Sequence, residues 1–107
     1  MDIPTSYLEL LRKIKPRAGM YIGMPHISNL YEFLQGWSFG RLPNNVSDNE
    51  LLMEFRDWVA AKHRITSSHG WASIILFFER DERCAYDRFW ELLDEFLTAR
   101  GLEPLAR

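Results

Sequence analysis

Cysteine is almost absent from this chain: Cys84 is the only one among 107 residues. A lone thiol makes no internal disulfide, so nothing in the sequence calls for an oxidising compartment. Long apolar runs are missing too. The longest, Ile74 to Phe78, falls far short of the ~20 residues that a membrane-spanning helix needs. The opening MDIPTSYLELLRK has no basic start followed by an apolar block, so it does not read as a signal peptide and the expected location is cytoplasmic. Positive charge is not in excess: 13 Lys and Arg against 15 Asp and Glu give −2 at pH 7. That argues against general nucleic-acid binding, whose affinity rests on neutralising phosphates. With no repeats, low-complexity tracts or linkers, 1–107 reads as a single domain.

What is present is core material. Hydrophobic residues make up 47% of the chain, with seven Phe, four Trp and four Tyr, enough to bury a core without staples. Helix punctuation recurs. Ser6 with Glu9 has the form of a capping box ahead of a stripe of Tyr7, Leu8, Leu10, Leu11 and Ile14, and Pro16 stops it. Ser28 is placed to cap a second helix, with Leu30, Tyr31, Phe33, Leu34 and Trp37 inward and Gly40 at its C-terminal end. RLPNNVSDNE reads as a loop around Pro43, Asn44 and Asn45. Ser47 and Glu50 then repeat the capping box before Leu51, Leu52, Phe55, Trp58 and Val59.

The segment around 71–78 is ambiguous, because a short apolar run cannot be typed by periodicity alone. Trp71, Ile74, Ile75 and Phe78 fall at helical spacing, with Ser67 or Ser68 as cap. Asp81 opens a last helix with Ala85, Phe89, Leu92, Leu93, Phe96 and Leu97 on one face, ended by Gly101. The expected fold is all-α, a bundle of four to five helices, or α+β if 71–78 is a strand.

Catalytic and metal-binding patterns are missing. His63 and His69 are six residues apart and His26 is isolated, which is not ligand spacing. Ser68 beside His69 lacks the G-x-S-x-G context and reads as helix-start chemistry. Cys84 sits among Asp81, Glu82 and Asp87, whose charge disfavours a thiolate. No enzyme, cofactor or metal is expected. Asp87, Glu91 and Asp94, at i, i+4 and i+7, form an acidic stripe, which by default is a solvated helix face. As a functional surface it would be a landing strip for a basic partner, with Tyr86 or Trp90 as aromatic anchor. Phe77, Phe78, Tyr86 and Trp90 are the aromatics most suited to an interface. The apolar arc of this last helix spans more than half its circumference, which suggests a partner or a dimer seam.

Two resemblances bear on RAGMYIG, residues 17–23. It resembles the R-P-G-M-Y-I-G stretch of DNA gyrase B subunits, whose next helix carries a Glu, an Asn four residues later and an Asp three beyond, for ATP and Mg²⁺. Glu32 matches the first, but Gly36 and Phe39 occupy the other two positions, so no ATPase is implied. The chain also resembles a family of small, mostly uncharacterised bacterial proteins. The matching segments are Gly19-Met20-Tyr21-Ile22-Gly23, Leu30 to Trp37, Phe55 to Val59, Ser67-Ser68-His69-Gly70-Trp71 and Ala85 to Phe96. Ala18 stands where that pattern has Pro. Proteins of this style are similar to immunity proteins of interbacterial toxin systems, which implies a non-enzymatic domain that binds and neutralises a cognate toxin. The alternative is a homodimeric structural or regulatory protein. Gly19 and Gly23 are expected as turn residues, with Tyr21 and Ile22 packed inward and Gly70 easing the approach of Trp71.

Overall fold

Ser6 starts the first helix as its sequence asks. In the computed structural model, which describes residues 6–41 and 46–105 (side chains for 6–38 and 50–105), its hydroxyl accepts from the Glu9 N–H at 3.2 Å. Helix α1 (Tyr7–Ile14) buries Tyr7, Leu10, Leu11 and Ile14 and gives way at Pro16 to a 3₁₀ turn, Lys15–Arg17. Proline lacks the N–H needed to continue an α-helix, which is why the chain tightens there.

The RAGMYIG stretch is not an open turn. Ala18–Ile22 forms one turn of helix, α2, and Gly19 lies inside it, which corrects its reading as a turn residue. A single helical turn directs only part of its surface inward. Ile22 is buried and Tyr21 half-buried, edge-on to Phe33 at 6.3 Å, while Met20 stays exposed. Gly23 is the true break: its φ of 81° and ψ of −60°, with the Met24 N–H donating to the Ile22 carbonyl at 2.9 Å, describe a γ-turn that L side chains avoid. Gly23→Val should therefore lower stability by about 1–3 kcal/mol, read by urea denaturation. An unchanged midpoint would show that the chain leaves α2 by another route.

Helix α3 (Ile27–Arg41) runs on past Gly40, which is inside the helix and does not end it. Ile27, Leu30 and Leu34 are buried, with Tyr31, Phe33 and Trp37 packed at the edge of the core. Ser28 is not its cap. The residue lies within the first turn, and its N–H and hydroxyl donate to the two carboxylate oxygens of Glu82, at 2.9 and 2.7 Å. A carboxylate from a distant helix thus fills the place of a local cap, satisfying an orphan donor and opposing the positive end of the helix dipole. Asn29 closes the other side, donating from Nδ2 to the Ile22 carbonyl at 3.0 Å.

Helix α4 (Val46–Lys62) is under way one residue before Ser47; the Ser47 side chain and the Pro43–Asn45 turn lie outside the described residues. The ambiguous segment is a helix, α5 (Trp71–Phe77), so the strand alternative falls. Its N-cap is Gly70, not Ser67 or Ser68, and a Cβ at Gly70 would lie 3.0 Å from the Tyr31 hydroxyl. Asp81 caps α6 (Glu82–Ala99) as expected, accepting from the Cys84 N–H at 2.8 Å. Paired bonds from Gly101 to the Thr98 carbonyl and from Leu102 to the Leu97 carbonyl end that helix.

The described residues therefore form an all-α bundle without strands. Helix α6 packs against α3, α4 and α5. At their junction Phe55 is fully buried and meets Trp58, Trp71, Phe89 and Phe96, with ring centroids 6.4, 6.0, 5.6 and 5.4 Å away. Three of these contacts are edge-on, the arrangement that the ring quadrupole favours.

Candidate functional site

The five α6 residues marked as a partner surface separate into two environments. Tyr86 and Trp90 are only 6% and 7% exposed, in a T-shaped pair 5.8 Å apart. The Lys15 ammonium lies 5.6 Å from the Trp90 ring. They belong to the core and are not surface anchors, because α6 is walled by three helices and needs an apolar arc wider than one stripe. That same placement removes the reason for reading the arc as a dimer seam. Burial raises the pKa of the Tyr86 phenol, opposed by the neighbouring Trp90 indole.

The acids stay outside but are answered from within the chain. Arg83 Nε lies 3.5 Å from Asp87 Oδ1, and Arg88 Nη1 lies 2.8 Å from Glu91 Oε1 and 3.8 Å from Glu95 Oε2. Lys62 reaches Glu95 from α4 at 2.9 Å. Asp94 does structural work: its Oδ1 accepts from the Leu105 N–H at 2.8 Å, fastening the C-terminal segment so that Leu105 is buried. Pairs of this exposed kind contribute little stability. They also cancel much of the field that would steer a basic partner.

Among the described residues, the aromatics left exposed are on α5 and just beyond it. Phe77 is 80% exposed and meets Phe78 edge-on at 5.0 Å. Phe78 in turn stacks on His63, centroids 4.4 Å apart and planes 19° from parallel. The sequence places Phe78 on the buried stripe of α5. The helix ends at Phe77, so the helical spacing stops one residue short and Phe78 lies over His63. Beside Phe77 is a groove of about 480 Å³ with Ile65, Ile74 and Leu76 along it and Ser67, His69 and Ser73 as its polar contribution. Apolar centre with polar surround is the usual anatomy of a protein interface.

The polar groups there have local duties. Ser67 hydrogen-bonds through Oγ to His69 Nδ1 and also accepts the His69 N–H at 2.9 Å. This is a three-residue turn that organises the approach to α5, and it involves Ser67, not the Ser68 considered from sequence. Among the described residues, no group of three or more His, Cys, Asp or Glu is placed to hold a metal ion, and no helix is long and apolar enough to cross a membrane. A second cleft, around Arg56, carries no sequence signal: an arginine between Phe55 and Asp57 on an amphipathic helix looks like any solvated charge. No family model, no curated protein and no solved structure matches the chain.

Proposed function

We propose that this chain is a non-enzymatic protein-binding domain of the immunity-protein kind, a bacterial cytoplasmic protein that occupies and neutralises a cognate toxin. The observation that carries the reading is the exposed Phe77 ring beside an apolar groove, braced from below by Phe78 and His63. Covering a Phe side chain is worth about 1.5–3 kcal/mol, and central aromatic anchors dominate the energetics of interfaces. The largely self-paired acids of α6 have the lesser role of adjusting the encounter rate.

The test is co-purification with the product of the adjacent reading frame, followed by calorimetry. Phe77→Ser should weaken that complex about 30-fold or more, the equivalent of a hot-spot residue at 2 kcal/mol, while leaving the melting temperature unchanged. A homodimer is the second reading that the same ring supports. Light scattering would favour it if the wild type is a dimer at high concentration and Phe77→Ser a monomer. A monomer that ignores its neighbour would remove both.

A further inference from the structure

We propose that the cleft beside Arg56 is a binding site for a carboxylate attached to an apolar group one or two amino-acid residues in size. The cleft, about 370 Å³, lies on the face where α3, α4 and α5 meet, with Tyr31, Leu52 and Trp71 as its apolar and aromatic walls. That volume is at the small end of the range for ligand sites, which are mostly apolar with a few fixed polar groups.

The polar group here is fixed from the backbone. Arg56 Nε donates to the His69 carbonyl at 2.8 Å, so the guanidinium has one defined orientation. The same 69–70 segment runs against Tyr31, closely enough that a side chain at position 70 would meet the Tyr31 hydroxyl. Gly70 therefore sets the width of the cleft as well as the start of α5. Two of the three guanidinium nitrogens are engaged. Nη1 donates to Asp57 Oδ1 at 3.0 Å, whereas Nη2 is buried with no hydrogen-bond partner. A charged donor enclosed without an acceptor is costly, and the forked guanidinium is matched to a carboxylate that takes both terminal nitrogens.

Asp57 shows where such an acceptor comes in. The residue also lines the cleft, and its carboxylate holds only Nη1 and belongs to a side chain that is 74% exposed. An exposed, single-point contact of this kind is weak. An incoming carboxylate displaces it from Nη1, gains Nη2 as a second donor once the groups enclosing that nitrogen shift aside, and lays its apolar portion against Trp71, Tyr31 and Leu52. Asp57 is then a competitor for the site, because its negative charge repels the ligand and occupies part of the fork. The cleft shares no lining residue with the groove beside Phe77.

The experiment titrates the full chain with N-acetyl-L-phenylalanine, its carboxamide, and N-acetyl-Ala-Ala-Phe, reading tryptophan fluorescence and the amide NMR signals of Gly70 and Trp71. The free acids should give saturable shifts and the carboxamide none. Arg56→Gln should weaken the acids at least tenfold. Asp57→Asn, which keeps the arginine and its bond to His69, should tighten them several-fold. Response to the tripeptide alone would identify the source as a polypeptide C-terminus, and equal response to both acids would identify a small acyl amino acid. Equal response to acid and carboxamide, no response to either acid, or weaker binding in Asp57→Asn would overturn the proposal.

Discussion

Phe55→Ala should cost about 3–5 kcal/mol, the range found when a fully buried aromatic is truncated. A domain of this size has about 5–15 kcal/mol of stability in total, so the melting temperature should fall by on the order of 20 °C. The reason is position as much as volume. Phe55 is the ring on which α4, α5 and α6 converge, in contact with Trp58, Trp71, Phe89 and Phe96. Removing it takes a partner from four others, in an interior with no room to collapse along one helix alone. Phe55→Leu, which restores most of the volume without the aromatic edges, should recover a large part of the loss. Thermal and urea melts check both variants. A loss below about 1 kcal/mol for the alanine would mean that the three helices do not share this contact.

Glu82→Ala should be the most damaging polar substitution, at about 2–3 kcal/mol, because it removes two charge-assisted bonds from a partly buried site. Both bonds run to Ser28, from its N–H and its hydroxyl, and they tie the start of α3 to the start of α6. The Ser28 N–H is the main cause holding the Glu82 carboxyl below the usual carboxylate range. The Ser28 hydroxyl and the charge of His26 act in the same direction, and burial acts against them. A carboxyl depressed in the folded state takes up its proton first in the unfolded chain, at about pH 4. Its contribution is therefore complete above that pH and is lost as pH falls through the lower folded value. Urea melts of wild type and Glu82→Ala should differ fully at about pH 6 and converge as the pH falls below the unfolded value of about 4. A difference independent of pH would mean that the interaction does not depend on the charged carboxylate.

Adjacent acids at the start of α6 show what was legible and what was not. Asp81 was readable as a cap because the donor it serves, on Cys84, is three residues ahead on the same strand of sequence. Glu82 serves a donor 54 residues away, and only the packing of α6 against α3 brings the two together. The reading of Ser28 as a cap failed for the same reason: its hydroxyl was a sound local candidate, and a stronger distant acceptor took it. Tyr86 and Trp90 have the composition of an interface and the location of a core. Phe77 and Phe78 belong to the longest apolar run in the chain and lie outside, because α5 ends beneath them. Arg56 acquired its place in a cleft from the His69 carbonyl and the Tyr31 and Trp71 rings, none of them its neighbours in the chain.

By itself the sequence determined the helical class, the helix starts at Ser6 and Asp81, the breaks at Pro16, Gly23 and Gly101, the inward faces of α1 and α4, and part of those of α3 and α6. Those properties depend on chemistry within about one helical turn, where spacing fixes distance. The tertiary structure alone decided which carboxylate caps α3, which aromatics face solvent, and where a guanidinium is held beside an apolar cleft. Each depends on groups far apart in the chain, whose separation in space follows from how the helices pack and from nothing in their local periodicity.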